Sequence, residues 1–486
     1  MKYMYIMKIK SIINFSAACL LILAICSCEG LIRTDNPSSI SPDEHYKTEH
    51  DVNAAIIGLY AQMQELAPRL VLLGELRAGN LELNSSNTDF EELINVNVSS
   101  INSYANTSYF YNIINSCNDI MNNIDKVAKN DPSFTIDEVA HYKAEVTGVK
   151  NFVYYQMGKI FGEANYYDTA ITQADQQPEG NKYELTELLD LLIAKQTNVM
   201  QHYNLKIESQ VSSSWQRLRF GLYAAHTLLA DMYLFRASIN HSQTDYAKVI
   251  ENLDVVMNIN SDNSNTQTFK LGSSYEKDKW QNIFKDAISS TDEVIWQVAY
   301  NSTYQQKHNL QELFNTQSIL KVKQSVLSNW ESNDKRSKVS VNSAMQVGKF
   351  NVNKKEFDND APIIMYRAGE VFLMYAEALL YTGAINEAMT IINSGNSYVE
   401  YTPTGTKKYN VASKGVRGRM GLSVVLPVVE DKAIAAGLIR MERSRELIFE
   451  GKSWDDLMRY AYSDDRADII AGDKLINRPN WFIRTK

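Results

Sequence analysis

Cysteine, histidine and proline are all scarce in this chain: 4, 7 and 9 among 486 residues. Three of the cysteines, Cys19, Cys26 and Cys28, crowd the N-terminus, so Cys117 stands alone in the body. One thiol can close no internal disulfide and build no cysteine-based metal site. Its apolar, helix-patterned neighbours make Cys117 a small core residue. The histidines show no H-E-x-x-H spacing, and no metal ligand set or cofactor is expected. G-x-S-x-G, the phosphate-cradling G-x-x-x-x-G-K and the dinucleotide glycine fingerprint are all missing. No catalytic residue is assigned. Basic residues are outnumbered, 49 against 57, for a net charge of −8. Such a balance disfavours nucleic acid and anionic polymers as ligands, since an acidic surface repels both.

Long apolar runs are missing too, with one exception. Lys8 and Lys10 precede an apolar stretch at 12–25, and Met7 makes a more natural start than Met1. A short basic region before an apolar segment of this length reads as a secretory signal, too short to span a bilayer. It ends at Ile25-Cys26-Ser27-Cys28. A lipoprotein peptidase needs a small residue before the cysteine that takes the lipid, and Ser27 satisfies that for Cys28. Cys28 is therefore the expected lipidation site and 1–27 the expected leader. Losing that leader removes three lysines and no acid, which takes the net charge from −8 to −11. Nothing downstream approaches the ~20 apolar residues of a spanning helix.

About 459 residues then remain, more than one compact core usually holds. Apolar residues recur at helical spacing over 52–66, 109–127, 137–161, 185–202, 215–237, 246–257, 368–381, 385–392 and 431–450. Two helix pairs look alike. Ala230-Asp-Met-Tyr-Leu234 is followed by a short helix carrying Ala247, and Met374-Tyr-Ala-Glu-Ala378 by one carrying Ala388. Small residues so placed let helices approach closely, as in tetratricopeptide hairpins. The expected fold is mainly α, built of tetratricopeptide-like hairpins with a loop and short-strand insertion. That insertion, about 260–360, is poor in helical stripes, and 293–300 is its best strand. The N-terminal region 28–240 and the C-terminal region 241–486 are expected to form one compact unit.

The richest stretch is Met441-Glu-Arg-Ser-Arg-Glu-Leu-Ile-Phe-Glu-Gly451, continuing to Trp454, Asp455, Asp456, Leu457 and Met458. Glu442, Glu446 and Glu450 recur every four residues, so they share one helix face. The segment resembles the C-terminal signature of the SusD/RagB family, cell-surface nutrient-binding lipoproteins of the Bacteroidetes. Further matches follow in family order. The segment 109–118 looks like the early helix that ends in an asparagine. The stretch 141–163 is similar to the G-E-A-x-x-L-R-A helix and F-G-D turn, but has Val149, Lys150 and Asn151 for L-R-A. The strand 293–300 and the Y-A-E-A helix around Glu377 match, as does Val416-Arg-Gly-Arg-Met-Gly421, after an unusually long gap from Asn393. The end at 480–486 lacks the usual Q-N-x-G-Y finish.

The resemblance implies a SusD-like fold and a lipid-anchored protein of the outer membrane, facing the cell exterior. It implies a partner, a SusC-like TonB-dependent barrel, and a glycan ligand, or a peptide as in the RagB branch. The competing reading is an all-helical glycoside hydrolase, which needs two carboxylates about 5–9 Å apart, one with a raised pKa. Glu442, Glu446 and Glu450 meet the distance, but interleaved Arg443 and Arg445 would keep them ionised. Glu377, in an otherwise apolar helix, needs a cation, with Arg443 or Arg445 expected. Asp455 and Asp456 are adjacent on a helix and point apart. Trp215, Trp296 and Trp454 fall in packing patterns. In the family, ligand contacts tend to come from the insertion and from the polar segment here at 77–102. Arg77, Asn80, Tyr304 and Trp330 are the ligand-binding candidates.

Overall fold

The computed structural model describes residues 45–173, 175–176, 179–203, 205, 217–257, 271, 280–285, 293–351, 360–393, 415–423, 431–464 and 481–484. The leader, Cys28 and Trp215 therefore lie outside the described residues.

Helix α1 (Glu49–Ala78) opens on a capping box between Thr48 and Asp51 and closes at Gly79, whose φ is 81°. It runs twelve residues past the expected 66, carrying Pro68 in its interior. A short strand β1 (Leu81–Leu83) and α2 (Thr88–Ile94) follow. Next come α3 (Ser108–Asn130) and α4 (Ile136–Phe161), the latter started by a Thr135–Glu138 capping box. Strands β2 (Glu163–Tyr167) and β3 (Gly180–Glu184) form a hairpin before α5 (Leu185–His202).

Helices α6 (Leu222–Asn240) and α7 (Gln243–Met257) make one antiparallel hairpin. After β4 (Val294–Val298), β5 (Leu320–Val322), α8 (Gln324–Leu327), α9 (Lys335–Ser340) and β6 (Ile363–Arg367), α10 (Ala368–Tyr381) and α11 (Ile385–Asn393) make the other. The two hairpins stack through α7 and α10. Tyr246 and Tyr381 lie face to face at 4.7 Å, and the Tyr375 hydroxyl donates to Asp254 at 2.7 Å. The repeat read from Ala230 and Met374 is thus a real stack. Helices α12 (Lys432–Leu447) and α13 (Ser453–Asp464) close the core, mainly helical as expected. Cys117 is buried, and burial pushes its thiol up to about 12. No helix among the described residues is long and apolar enough to cross a membrane.

Only short ribbons break the helical pattern. Strand β4 pairs antiparallel with β6, every residue of both being buried, with Trp296 packed between Phe152 and Phe220. Strand β1 pairs with β5, fastening the end of α1 to the insertion. Residues 481–484 fold back onto the core. The Trp481 carbonyl accepts from Trp454 Nε1 at 3.1 Å, and Ile483 N–H donates to Ile160 at 2.9 Å.

The glutamate ladder sits in a buried lattice of charge. Glu446 receives Arg367 at 2.6 Å, Arg336 at 2.9 Å, and also Arg419. Glu442 meets Arg336 at 2.7 Å and Arg417 at 3.1 Å, while Glu450 meets Lys349 at 2.6 Å and Arg367 at 2.8 Å. Burial alone would raise the Glu446 carboxyl, but the three guanidiniums hold it well below the usual carboxylate range. The cations come mostly from other segments rather than from the interleaved arginines. Arg443 turns to Asp456 at 2.8 Å and Glu370 at 3.1 Å, and Arg445 to the Asn329 carbonyl at 2.5 Å. Glu377 accordingly pairs with Arg459, not with Arg443 or Arg445 as expected. The reason is α13, which carries Arg459 across to α10; α12 had its arginines already engaged. Asp455 and Asp456 do diverge, one to Lys159 at 2.6 Å and the other to Arg443 and Arg459. The departures in α4 are accommodated: Val149 is core, Lys150 pairs with Asp168 at 2.9 Å, and Asn151 donates to Gln196 at 2.9 Å.

Candidate functional site

Two cavities bear on ligand binding. The roomier one is an open cleft of about 420 Å3 where the middle of α1 meets the insertion. Helix α1 supplies Gln64, Glu65, Pro68 and Arg69; the turn after α2 supplies Ser103 and Tyr104; the insertion supplies Lys307, His308, Asn309 and Glu312.

Local hydrogen bonds build each wall. Asn102 accepts from Tyr104 N–H at 3.1 Å and donates to the Asp89 carbonyl at 3.0 Å, which sets the turn against α2. Tyr104 then packs on Phe90, ring centroids 4.9 Å apart. On the far wall, Gln64 Nε2 donates to the Ala299 carbonyl at 2.7 Å, and the Tyr300 hydroxyl to the Gln64 carbonyl at 2.8 Å. His308 is a buried strut of that wall. Its Nε2 lies 2.9 Å from the Ala361 carbonyl and its Nδ1 accepts Leu310 N–H at 3.2 Å, a pairing only the neutral ring makes. Burial lowers its pKa to about 4, so it stays neutral at physiological pH.

Arg69 crosses the floor. Its guanidinium lies 3.5 Å from the Tyr109 ring centroid and 5.5 Å from that of Tyr104, and Nη1 donates to the Ser103 carbonyl at 2.6 Å. Aromatic surface, amide, hydroxyl and charge of both signs thus meet at one solvent-open place. Such a set hydrogen-bonds and stacks on a polar ligand without desolvating a carboxylate for acid catalysis.

The second cavity, about 190 Å3 and more enclosed, gathers Asn80 and Trp330 with Asn329, Ser453, Asp456 and Tyr460. Trp330, though its sequence neighbours are polar, is only 8% exposed, because α8 and the α12 signature close over it. Beneath this cavity the Glu75 carboxyl accepts from Asn80 Nδ2, Gly451 N–H and Ser453 Oγ, each at 2.9 Å. Burial pushes its pKa up despite these donors. A raised acid favours the protonated fold, so this contribution is fully present below the unfolded value of 4.5 and lost as pH rises through the folded one. The stability of the native protein relative to Glu75→Gln is therefore expected to fall between pH 5 and pH 8. Urea midpoints of both proteins at the two pH values check this; a difference that stays level or grows contradicts it.

The four sequence candidates thus separate. Asn80 and Trp330 share the enclosed cavity. Arg77 is 1% exposed, in the last turn of the extended α1, its Nε on the Leu73 carbonyl at 2.8 Å and its guanidinium over Trp454. A side chain so enclosed presents no donor to the surface. Tyr304, 75% exposed on the 302–304 turn, stands three residues before Lys307. Arg69, Tyr104 and Lys307 were not singled out. The signal for them was regional: Tyr104 lies just past the polar segment 77–102, and Lys307 lies inside the insertion.

Solved structures share this stack of helical hairpins. A SusD superfamily protein from Bacteroides thetaiotaomicron superposes with a TM-score of 0.69 over 90% of this chain and 95% of its own, at 17% identity. A surface glycan-binding protein A from Bacteroides uniformis does so with a TM-score of 0.67 over 90% and 94%, also at 17% identity. At these identities the likeness establishes the fold. A SusD-like protein of Formosa agariphila is 21% identical over 94% of this chain and 93% of its own length, and the SusD family model matches residues 275–479. The chain is thus similar to the SusD family, most directly over its C-terminal part.

Proposed function

We propose that this protein is a cell-surface lipoprotein that binds nutrient glycan and delivers it to a TonB-dependent outer-membrane barrel of the SusC type. The observation that carries this reading is the open cleft at Arg69, Tyr104 and Lys307, wide enough for sugar units and lined by groups that hydrogen-bond hydroxyls. The match of residues 275–479 to the SusD family model supports it, as does the fold shared with a protein described as surface glycan-binding. Lipidation at Cys28 would tether the chain, since more than one acyl chain holds a protein stably to a membrane. Ligand would then enter the barrel by hinged motion of this protein as a lid. The glutamate ladder, ion-paired on every member, favours binding over hydrolysis.

Calorimetric titration of the protein without residues 1–28 tests this, against polysaccharides, oligosaccharides and mixed peptides, with products checked by mass. Binding of one glycan class without cleavage is expected, and Tyr104→Ala should weaken it about tenfold, because that ring lines the cleft and supports the Arg69 guanidinium. Cleavage would make the protein an enzyme. A response to peptides alone would place it with the RagB branch.

A further inference from the structure

The cleft differs from an ordinary sugar platform in what covers its rings. A neutral sugar stacks its C–H face on a bare aromatic ring. Here the face of Tyr109 is already taken, with the Arg69 guanidinium 3.5 Å from its centroid, and Tyr104 is flanked by Phe90 on one side and Arg69 on another. A ligand entering the cleft therefore meets a guanidinium backed by tyrosine rather than tyrosine itself.

That guanidinium is also under-used. Its one hydrogen bond among the described residues is from Nη1 to the Ser103 carbonyl, and no carboxylate among them lies within ion-pair distance. Lys307, across the cleft and exposed, likewise has no ion-pair partner among the described residues. In the core the opposite holds, for Arg336, Arg367, Arg419, Arg443 and Arg459 each meet carboxylates. An acidic chain that leaves two cations unmatched across one opening is set for an anion from outside. Three acids stand nearby, but none of them forms an ion pair with Arg69 or Lys307. Asp89 accepts from the Ser103 hydroxyl, while Glu65 and Glu312 line the wall and can accept sugar hydroxyls, so the anion's place in the cleft is at the guanidinium. A planar guanidinium fork held by stacking matches a carboxylate, with two parallel N–H···O bonds available to it.

We propose that the ligand of this cleft is an acidic glycan, a chain containing uronic or other carboxylate-bearing sugars, with the sugar carboxylate on Arg69 and Lys307. The proposal rests on the glycan-binding reading above and sharpens it.

The test pairs each acidic oligosaccharide with its own methyl ester, which removes the charge and keeps the ring and linkage. Oligogalacturonate, oligomannuronate and sialyllactose are titrated into the protein lacking residues 1–28, with the three esters beside them. At least one free acid is expected to bind tenfold or more tighter than its ester, with affinity falling as salt rises. Arg69→Lys keeps the charge but loses the fork, and Arg69→Gln loses both; each should bring the acid-to-ester ratio down towards one. Lys307→Gln, at an exposed position with no ion pair or side-chain hydrogen bond among the described residues, should lower the same ratio several-fold, so the outcome does not hang on the folding of the Arg69 variants. Equal affinity for acid and ester, or variants that weaken both forms alike, overturns the acidic preference and leaves the glycan reading standing. Binding confined to neutral glycans does the same. If peptides bind and no glycan in either form does, both readings fall.

Discussion

Glu446→Gln is expected to destabilise the protein by about 3–5 kcal/mol, the scale seen when one member of a buried ionic cluster loses its charge. Three guanidiniums converge on this carboxylate, and all four side chains are buried. Neutralising it leaves positive charge concentrated in a region that cannot recruit water. The cost arises from stranding the partners, and the intact cluster need not be a net source of stability. Glu163→Gln is the matched control. Its partners Lys182 and Arg484 are half in solvent, so the change should stay within about 0.5 kcal/mol. Urea unfolding of the two variants beside the native chain measures both. A Glu446→Gln loss below about 1 kcal/mol would show that the lattice relaxes far more than its burial implies. The same group sets an acid limit. Because the folded Glu446 pKa is depressed, its stabilisation is complete above the unfolded value of 4.5 and is lost as pH falls towards the folded one. The gap between native protein and variant should therefore narrow on acidification below 4.5.

Gly74→Ala is the second large effect. A Cβ at this position in α1 would lie 2.2 Å from the Gly451 carbonyl oxygen, a contact with backbone that no side-chain rotation relieves. Gly451 has little freedom to retreat. Its φ is 81°, and its own N–H is bonded to Glu75 one residue along α1. Overpacking at such a contact costs about 3 kcal/mol. Gly58 provides an internal comparison in the same helix. Nothing lies within 4 Å of its added Cβ, so Gly58→Ala should stabilise by about 0.5–1 kcal/mol through helix propensity alone. Opposite signs for one chemical change, read by thermal or urea midpoints, test whether the close approach of α1 to the signature turn is as tight as described. Two losses of similar size would mean that it is not.

The legible parts of this molecule were those governed by local periodicity. Helix α10 spans 368–381 and α5 spans 185–202, as their apolar stripes require, and 293–300 yields β4. Even the hairpin stack was visible in the small residues flanking Tyr233 and Tyr375. Failures came where a long-range contact decides. Pro68 ordinarily marks a helix boundary, yet α1 runs through it, and the extension carries Arg77 out of a supposed polar loop into the core. Trp330 has polar sequence neighbours on both sides, and it is buried by α12 arriving from far along the chain together with α8. The partner of Glu377 is likewise 82 positions away. The cleft joins residues 64–69, 103–104 and 307–312, and nothing in their spacing announces that they meet.

One helix links the cleft to the charged core. At 1.5 Å per residue the 30 residues of α1 form a rod about 45 Å long. Arg69 stands on it at the cleft, and Gly74 is wedged against Gly451 barely more than a turn further on. A load applied at Arg69 has little more than one helical turn in which to be absorbed before it reaches that contact. The load passes straight to the Gly451 turn and the ion-paired helices behind it, so cleft and core turn as a single stiff plate. The pivot of the proposed lid motion would then lie outside the stretch from 69 to 77.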